Sequence, residues 1–220
     1  MQLNTAVTQP QESILETNKV LRNTYLLLSM TLLFSGLMAF VSIVSQASQM
    51  AAMISLFGSF GLIWLVLPKT ANSATGIPVL FLITGLLGFA LGPMLSLYLS
   101  VRPDIVMIAL GGTGTIFLGL SGYALTTRKD FSFMAGFLIV GVLVAFMAII
   151  ANIFLQLPVL SLAISSAVIL IMSGMILFRT SAIIHGGETN YIMAAADLFL
   201  SIFNIFVHLL SILGIMGSDD

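Results

Sequence analysis

The sequence predicts an all-α integral membrane protein, a bundle of seven transmembrane helices. Of its 220 residues, 59% are hydrophobic and 7% are charged, whereas soluble domains carry about 25% charged residues. The chain therefore has too few polar groups to cover a surface that faces water. Its apolar residues also form seven runs of about 20 residues, the length that crosses a hydrocarbon core about 30 Å thick.

Charged and turn-forming residues separate the seven runs. The polar segment 45–49, Pro68–Lys69 and the segment 102–104 end the first three runs. The uncharged segment 131–178 is too long for one span and divides at the segment 156–158. The predicted spans are 24–44, 50–67, 77–99, 105–125, 132–155, 159–184 and 191–215.

The first 20 residues are polar and contain Pro10. A secretory signal would begin with positive charge and reach an apolar core within a few residues, and neither feature occurs before Leu26. We therefore expect residues 1–20 to be a short, exposed, mobile tail that stays on the protein. The remainder, 21–220, is expected to be one transmembrane domain.

Lysine and arginine positions predict the orientation, because loops rich in these residues stay on the cytoplasmic side of a membrane. A cytoplasmic N-terminus places most basic residues inside and leaves Arg102 outside. An odd number of spans then places the C-terminus outside. The basic residues predicted to be cytoplasmic are Lys19, Arg22, Lys69, Arg128 and Lys129, the last two beside Asp130 in one loop.

Small residues recur every three or four positions in the third and fourth predicted spans. Because small residues let transmembrane helices approach closely, we expect these two spans to pack against each other, and Pro93 to kink the third. The run GGTGT at 111–115 lacks the Gly-Lys-Ser/Thr that completes a phosphate-binding loop, which favours helix packing. The predicted packing residues are Gly85, Gly88, Gly92, Gly111, Thr115 and Gly119.

Composition argues against several classes of function. The net charge of −1 provides no basic surface for nucleic acid, and the absence of cysteine excludes disulfides and thiol catalysis. The sequence also lacks HExxH and an intramembrane GxSxG. We therefore expect neither a metal, a cofactor nor an enzyme active site.

Two charges lie inside the last apolar runs. Arg179 precedes, and Asp197 follows, the turn formed by residues 186–190. At about 1.5 Å per residue both lie about 12–15 Å from that turn, so antiparallel neighbouring helices can bring them together. An unpaired charge at mid-membrane costs about 2.5–3.5 kcal/mol, which favours an ion pair between them.

The last span carries its polar residues on one helical face. Asp197, Ser201, Asn204, His208 and Ser211 follow one another at intervals of four, three, four and three, so the stripe must face other helices or a water-filled cavity. Hydrogen bonding between helices explains the pattern. A hydrated path for protons or cations, with Asp197 as its charged site, is the alternative explanation. A lone histidine such as His208 is typical of a hydrogen-bonded interior residue, and no metal site is expected there.

Several segments resemble the Bax inhibitor-1 (transmembrane Bax inhibitor motif) family. The most specific are TTRKDFS at 126–132, ANIFLQLP at 151–158 and GGETNYI at 186–192. The segments 19–36 and 81–100 resemble its proteobacterial inner-membrane branch more narrowly. The resemblance covers nearly the whole chain after residue 18. It implies seven helices in the bacterial inner membrane, a cytoplasmic N-terminus and a periplasmic C-terminus.

For this branch the resemblance implies binding to the membrane-anchored AAA protease FtsH. Such proteins are slow substrates that engage the protease through the N-terminal tail and hinder its attack on other membrane proteins. Residues 1–20 are polar enough to serve as that handle, although their sequence differs from the enterobacterial tail.

For the wider family the resemblance implies a pH-sensitive calcium leak. Its usual pattern has one acid in helix six and another in helix seven, and two close carboxylates share a proton, which can gate a pore near neutral pH. This chain has Arg179 in LFRTS and Ser201 in LFLSIFN at those positions. An arginine would keep Asp197 ionised and repel a cation. We therefore expect Arg179–Asp197 to be a structural lock between the last two helices.

Three hypotheses follow from the sequence. The first is an interaction protein that modulates the protease through its tail. The second is a calcium or cation leak along the stripe Asp197, Ser201, Asn204 and His208. The third is a purely structural role. Deletion of the tail should damage the first function and spare the second.

Overall fold

The protein is a bundle of seven long helices. It is described from a computed structural model that covers the backbone of residues 8–217 and the side chains of residues 17–217. Seven helices within these residues are long and apolar enough to cross a membrane, which confirms the predicted fold class. They are α1 (Thr8–Val44), α2 (Gln49–Thr70), α3 (Gly76–Val101), α4 (Pro103–Thr127), α5 (Ser132–Leu155), α6 (Pro158–Ile184) and α7 (Tyr191–Met216). Each predicted span lies within one of these helices.

The first helix begins before the membrane. Of the predicted tail, residues 1–7 lie outside the described residues, and from Thr8 the chain is helical and continuous with the span Thr17–Val44. Pro10 lies in the first helical turn, where a missing backbone N–H removes no hydrogen bond. From Thr8 to residue 20 the predicted tail is therefore helical and continuous with the first span.

Two prolines disturb the helices that contain them. Pro68 lacks the N–H that would bond to the carbonyl of Trp64, and α2 responds with a π-helical segment, Leu62–Val66, in which the N–H of Leu67 bonds to the carbonyl of Leu62. α3 is interrupted at Leu91 and consists of the helical segments Gly76–Ala90 and Gly92–Val101. The disturbance expected at Pro93 thus lies two residues earlier.

Helix α7 lies at the centre of the bundle. It packs against α1, α3, α4 and α6, and its own most extensive contact is with α6. Phe199, Leu198 and Ile205 of α7 are almost completely buried among side chains of α1, α3 and α6. In contrast, α5 packs mainly against α6, and Leu138 is its one buried residue.

The predicted packing of the small residues of α3 against those of α4 is not found. A Cβ added at Gly85 would meet Phe34, and a Cβ added at Gly88 or Gly92 would meet Ser35 or Ser42. The α3 glycines therefore pack against α1.

The small residues of α4 do not form the predicted contact. A Cβ at Gly111 or Gly119 would meet nothing within 4 Å, and Thr115 donates its hydroxyl to the carbonyl of Gly111 at 2.8 Å. These residues lie on an open face of α4 away from α3. Small-residue spacing alone therefore shows neither that a helix packs closely at those residues nor which neighbour it meets.

Candidate functional site

The α6–α7 hairpin holds most of the polar residues singled out in the sequence. Its turn uses Gly186 in the left-handed region, at φ 74°, where glycine carries no steric penalty. Asn190 caps α7: its side-chain oxygen accepts the N–H groups of Ile192 and Met193 at 2.9 and 3.0 Å. This is a standard way to satisfy the free N–H groups of a first helical turn.

Asn190 also ties the hairpin to the α2–α3 loop. Its amide nitrogen donates to the carbonyl of Ala71 at 3.0 Å and to Oδ1 of Asn72 at 2.7 Å. Glu188 supports this arrangement, since its carboxylate accepts the N–H of Asn190 at 2.8 Å. One asparagine therefore fixes the start of α7 and its position relative to a loop about 120 residues earlier.

Arg179 and Asp197 meet across the α6–α7 interface. Nη2 of Arg179 lies 2.9 Å from Oδ2 of Asp197, and their side chains are 28% and 22% exposed. The Arg179 guanidinium lies 5.5 Å from the ring centroid of Phe178. Nε of Arg179 is buried and has no hydrogen-bond partner among the described residues. The pair is thus a single charged contact, largely but incompletely removed from solvent.

The polar stripe of α7 is not uniform along its length. Ser201 donates to the carbonyl of Asp197 at 2.9 Å, and Asn204 donates to the carbonyl of Leu200 at 2.8 Å. Both side chains therefore form hydrogen bonds to the backbone of α7 itself. His208 reaches a second helix, since its Nδ1 lies 3.1 Å from Oγ of Ser165.

Two polar contacts therefore join α6 and α7 at different depths. Arg179–Asp197 lies toward the end of the bundle that carries residue 17, which we call the N-terminal end. His208–Ser165 lies toward the other end, where the half-buried Ser211 follows on the same helical face. Within the stripe, hydrogen bonding between helices is seen at His208, while a continuous chain of side-chain hydrogen bonds is not formed among the described residues.

Ser181 is a functional candidate that the sequence did not single out. Its hydroxyl donates to the carbonyl of Lys129 and accepts the N–H of Phe131, both at 3.0 Å. His185, one turn later, places its Nδ1 2.9 Å from the carbonyl of Ser181. The serine thus fastens the α4–α5 loop to α6. Nothing in its sequence distinguishes it from the other serines of α6, because its partners are backbone atoms about 50 residues away.

The α4–α5 loop contains the basic pair and the acid predicted to lie in one segment. Arg128 ends α4 in the left-handed conformation, with φ 49°. The carboxylate of Asp130 accepts the N–H of Ser132 at 2.8 Å, and this bond holds the pKa of Asp130 below its usual value. The loop is therefore an ordered turn, whereas the side chains of Arg128 and Lys129 remain exposed.

The described residues hold no group of three histidine, aspartate or glutamate side chains close enough to bind a metal ion. A second ion pair joins Arg102 to Asp104 at 3.1 Å, and Arg102 also donates to the carbonyl of Gly217 at 3.4 Å. This cluster lies at the end of the bundle opposite the α6–α7 turn.

Comparison with known proteins assigns the fold to a family. The family model described as "Inhibitor of apoptosis-promoting Bax1" matches residues 17–218. This range contains all seven spans and both polar contacts between α6 and α7.

Three relatives match almost end to end. "Modulator of FtsH protease YccA" of Escherichia coli K12 is 54% identical over 208 residues, 94% of each chain. A membrane protein of Vibrio cholerae is 47% identical and covers 97% of this chain and 96% of its own. A protein of Pseudomonas aeruginosa is 46% identical over 100% of this chain and 97% of its own. The match to the family model and these identities show that the chain belongs to the Bax inhibitor-1 family.

Proposed function

We propose that this protein binds and inhibits a membrane-anchored AAA protease of the FtsH type and is itself a slow substrate of that protease. The observation that carries the proposal is the relative named modulator of FtsH protease, which is 54% identical over 94% of both chains. The aligned region takes in 94% of both chains, so it includes loops and helix ends, the regions available to a partner, as well as spans.

The N-terminal segment is the part of the chain that we propose the protease engages first. α1 begins at Thr8, whereas the apolar run in the sequence begins at residue 24, so the first part of this helix extends beyond the apolar run. A segment attached directly to a membrane helix offers a protease an end to pull without first unfolding a domain.

The proposed location is the bacterial inner membrane, with a cytoplasmic N-terminus and a periplasmic C-terminus. One relative of the same identity is named an inner membrane protein. The basic loop residues Lys69, Arg128 and Lys129 lie at the N-terminal end of the bundle, which supports this orientation. Alkaline phosphatase fused after Asp220 should then be active, and an inactive fusion would reverse the orientation.

The calcium leak implied for the wider family has weaker support. Arg179 places a cation next to Asp197, and Ser201 and Asn204 bond to their own helix. We propose instead that the ion pair is a structural lock that holds α6 and α7 together.

The test is the degradation of a membrane substrate by the purified protease in proteoliposomes. Adding this protein should slow degradation severalfold, and a version that lacks residues 1–16 should lose most of the effect. That deletion retains the whole span Thr17–Val44, so the membrane domain stays intact.

A version with residues 2–16 in scrambled order serves as the matched control. If the scrambled version inhibits as well as the original, the handle depends on length and accessibility instead of sequence. If neither the full chain nor the variants change the rate, and the full chain resists degradation, the proposed function is wrong.

A further inference from the structure

An apolar cavity of about 450 Å³ lies between α1 and α4, in the half of the bundle away from the α6–α7 turn. Both helices pack against α7, and Phe199, Phe203 and Phe206 of α7 form the floor of the cavity. α1 and α4 form its two walls, and Leu91 and Leu95 of α3 complete the lining. Four helices therefore surround the cavity.

The cavity is about as long as one leaflet of a bilayer is deep. On α1 its lining extends from Ile43, beside the helix end at Val44, to Leu32. These eleven residues of helix are about 16 Å long, and a leaflet is half of a hydrocarbon core about 30 Å thick. On α4 the lining extends from Val106 to Gly114. The cavity thus reaches from the far end of the bundle to the middle of the membrane.

Tyr25 and Phe117 close the inner end of the cavity. Their ring centroids are 6.1 Å apart, and Phe117 follows one helical turn after Gly114. The hydroxyl of Tyr25 also lies 3.3 Å from Oγ1 of Thr180, which holds this ring against α6. A molecule that enters the cavity from the far end therefore stops at mid-membrane.

The cavity opens sideways to the surrounding bilayer. Phe40 on α1 and Leu110 on α4 line it and are nevertheless 62% and 58% exposed. A Cβ added at Gly36 or Gly114 would meet nothing within 4 Å, so neither wall has a side chain at these positions. A hydrocarbon chain can therefore enter between the two helices without displacing a packed residue.

Size and chemistry favour a hydrocarbon chain as the occupant. An α-helix with its side chains is about 10–12 Å wide and would need roughly three times the volume of this cavity over the same length. The polar residues that line the cavity are already engaged, since Thr113 donates to a carbonyl of its own helix and the hydroxyl of Ser35 lies against Gly88. Arg102 and Asp104, the charged residues at that end of the described chain, pair with each other at 3.1 Å.

We propose that this cavity binds one acyl chain of a phospholipid from the leaflet at the Arg102 end of the bundle. The chain enters between Phe40 and Leu110, and its methyl end lies near Leu32 and Gly114. Its headgroup stays outside the protein, so phospholipids with different headgroups bind equally well. Because the chain fills space between two helices and binds only the folded bundle, it stabilises that bundle.

Photolabelling in proteoliposomes tests where the chain lies. The full-length protein is reconstituted with phosphatidylcholine that carries a diazirine either at the methyl end of one acyl chain or close to its carbonyl carbon. The methyl-end probe should label Leu32 severalfold more than Leu33, which is 76% exposed and lies outside the cavity. The carbonyl-end probe should label Ile43 and Val106. Equal labelling of Leu32 and Leu33, or the reverse order of the two probes, would overturn the proposal.

The variant Gly114→Phe tests the cavity itself, with Gly111→Phe as its matched control. Both positions accept a Cβ without contact, but of the two only Gly114 lines the cavity. Native mass spectrometry is applied to protein released from membranes of equal phosphatidylethanolamine and phosphatidylglycerol. The original protein and Gly111→Phe should each retain one lipid, with either headgroup, and Gly114→Phe should lose most of it.

Gly36→Phe fills the cavity from the opposite wall and should lose the lipid as well, so the test does not depend on the folding of one variant. Equal retention by the Gly111 variant and by either cavity variant would show that the lipid binds elsewhere. Retention of phosphatidylglycerol alone would show that the headgroup is recognised. Each of these results would contradict the proposed acyl-chain site.

Discussion

Replacing Asp197 with alanine is expected to lower the free energy of unfolding by about 2–3 kcal/mol. The substitution leaves Arg179 in the α6–α7 interface without its carboxylate, 2.9 Å away in the structure. Loss of one partner from a fully buried ion pair costs about 3–5 kcal/mol. The expected loss is smaller here because Arg179 keeps 28% of its side chain exposed and can reach toward the interface. Reversible denaturation in mixed detergent micelles measures it.

The double variant Arg179→Met, Asp197→Leu separates an ion-pair lock from simple loss of packing. Removing both charges leaves no unpaired group at membrane depth, so the double variant should recover most of the lost stability. A single Asp197→Ala variant as stable as the original protein would contradict the lock. So would a double variant as unstable as the single one.

The single variant Asp197→Ala also distinguishes a structural ion pair from a group that gates an ion path. If Asp197 has only a structural role, liposomes that contain the original protein should show no calcium flux that both switches with pH and disappears in the Asp197→Ala variant. Such a flux would establish the stripe from Asp197 to His208 as an ion path and would overturn the lock.

The spans could be predicted because the bilayer fixes their length and excludes charge. Loop residues such as Gln156 and Arg128 lie where the apolar runs end, and both occupy left-handed positions that terminate helices. The depth of Arg179 and Asp197 also followed from a short turn, because two antiparallel helices joined by a few residues keep their register.

Contacts between helices distant in sequence could not be predicted in the same way. Gly88 faces α1, and Ser181 bonds to the α4–α5 loop, yet neither residue carries a signal that names its partner. Helix spacing assigns a residue to a face of its own helix. Which neighbour covers that face depends on how all seven helices pack together.

Close packing of α1 on α3 makes Gly88 a sensitive position. A Cβ at Gly88 would lie 2.8 Å from the carbonyl carbon of Ser35, a backbone atom that moves only if α1 itself moves. A Cβ at Gly85 would instead meet the ring of Phe34, which can rotate. The obstacle is therefore rigid at one glycine and flexible at the other.

Gly88→Ala is accordingly expected to lower the free energy of unfolding by about 3 kcal/mol, since overpacking against a rigid neighbour costs about 1–3 kcal/mol or more. Gly85→Ala should lose less, and Gly111→Ala should be neutral or slightly stabilising, because its Cβ meets nothing and alanine favours helix. Thermal denaturation in one detergent compares all three variants. Equal stability of the Gly88 and Gly111 variants would mean that α1 and α3 do not pack as described. The ranked series would show that contact with backbone, more than glycine content, decides where this bundle tolerates a methyl group.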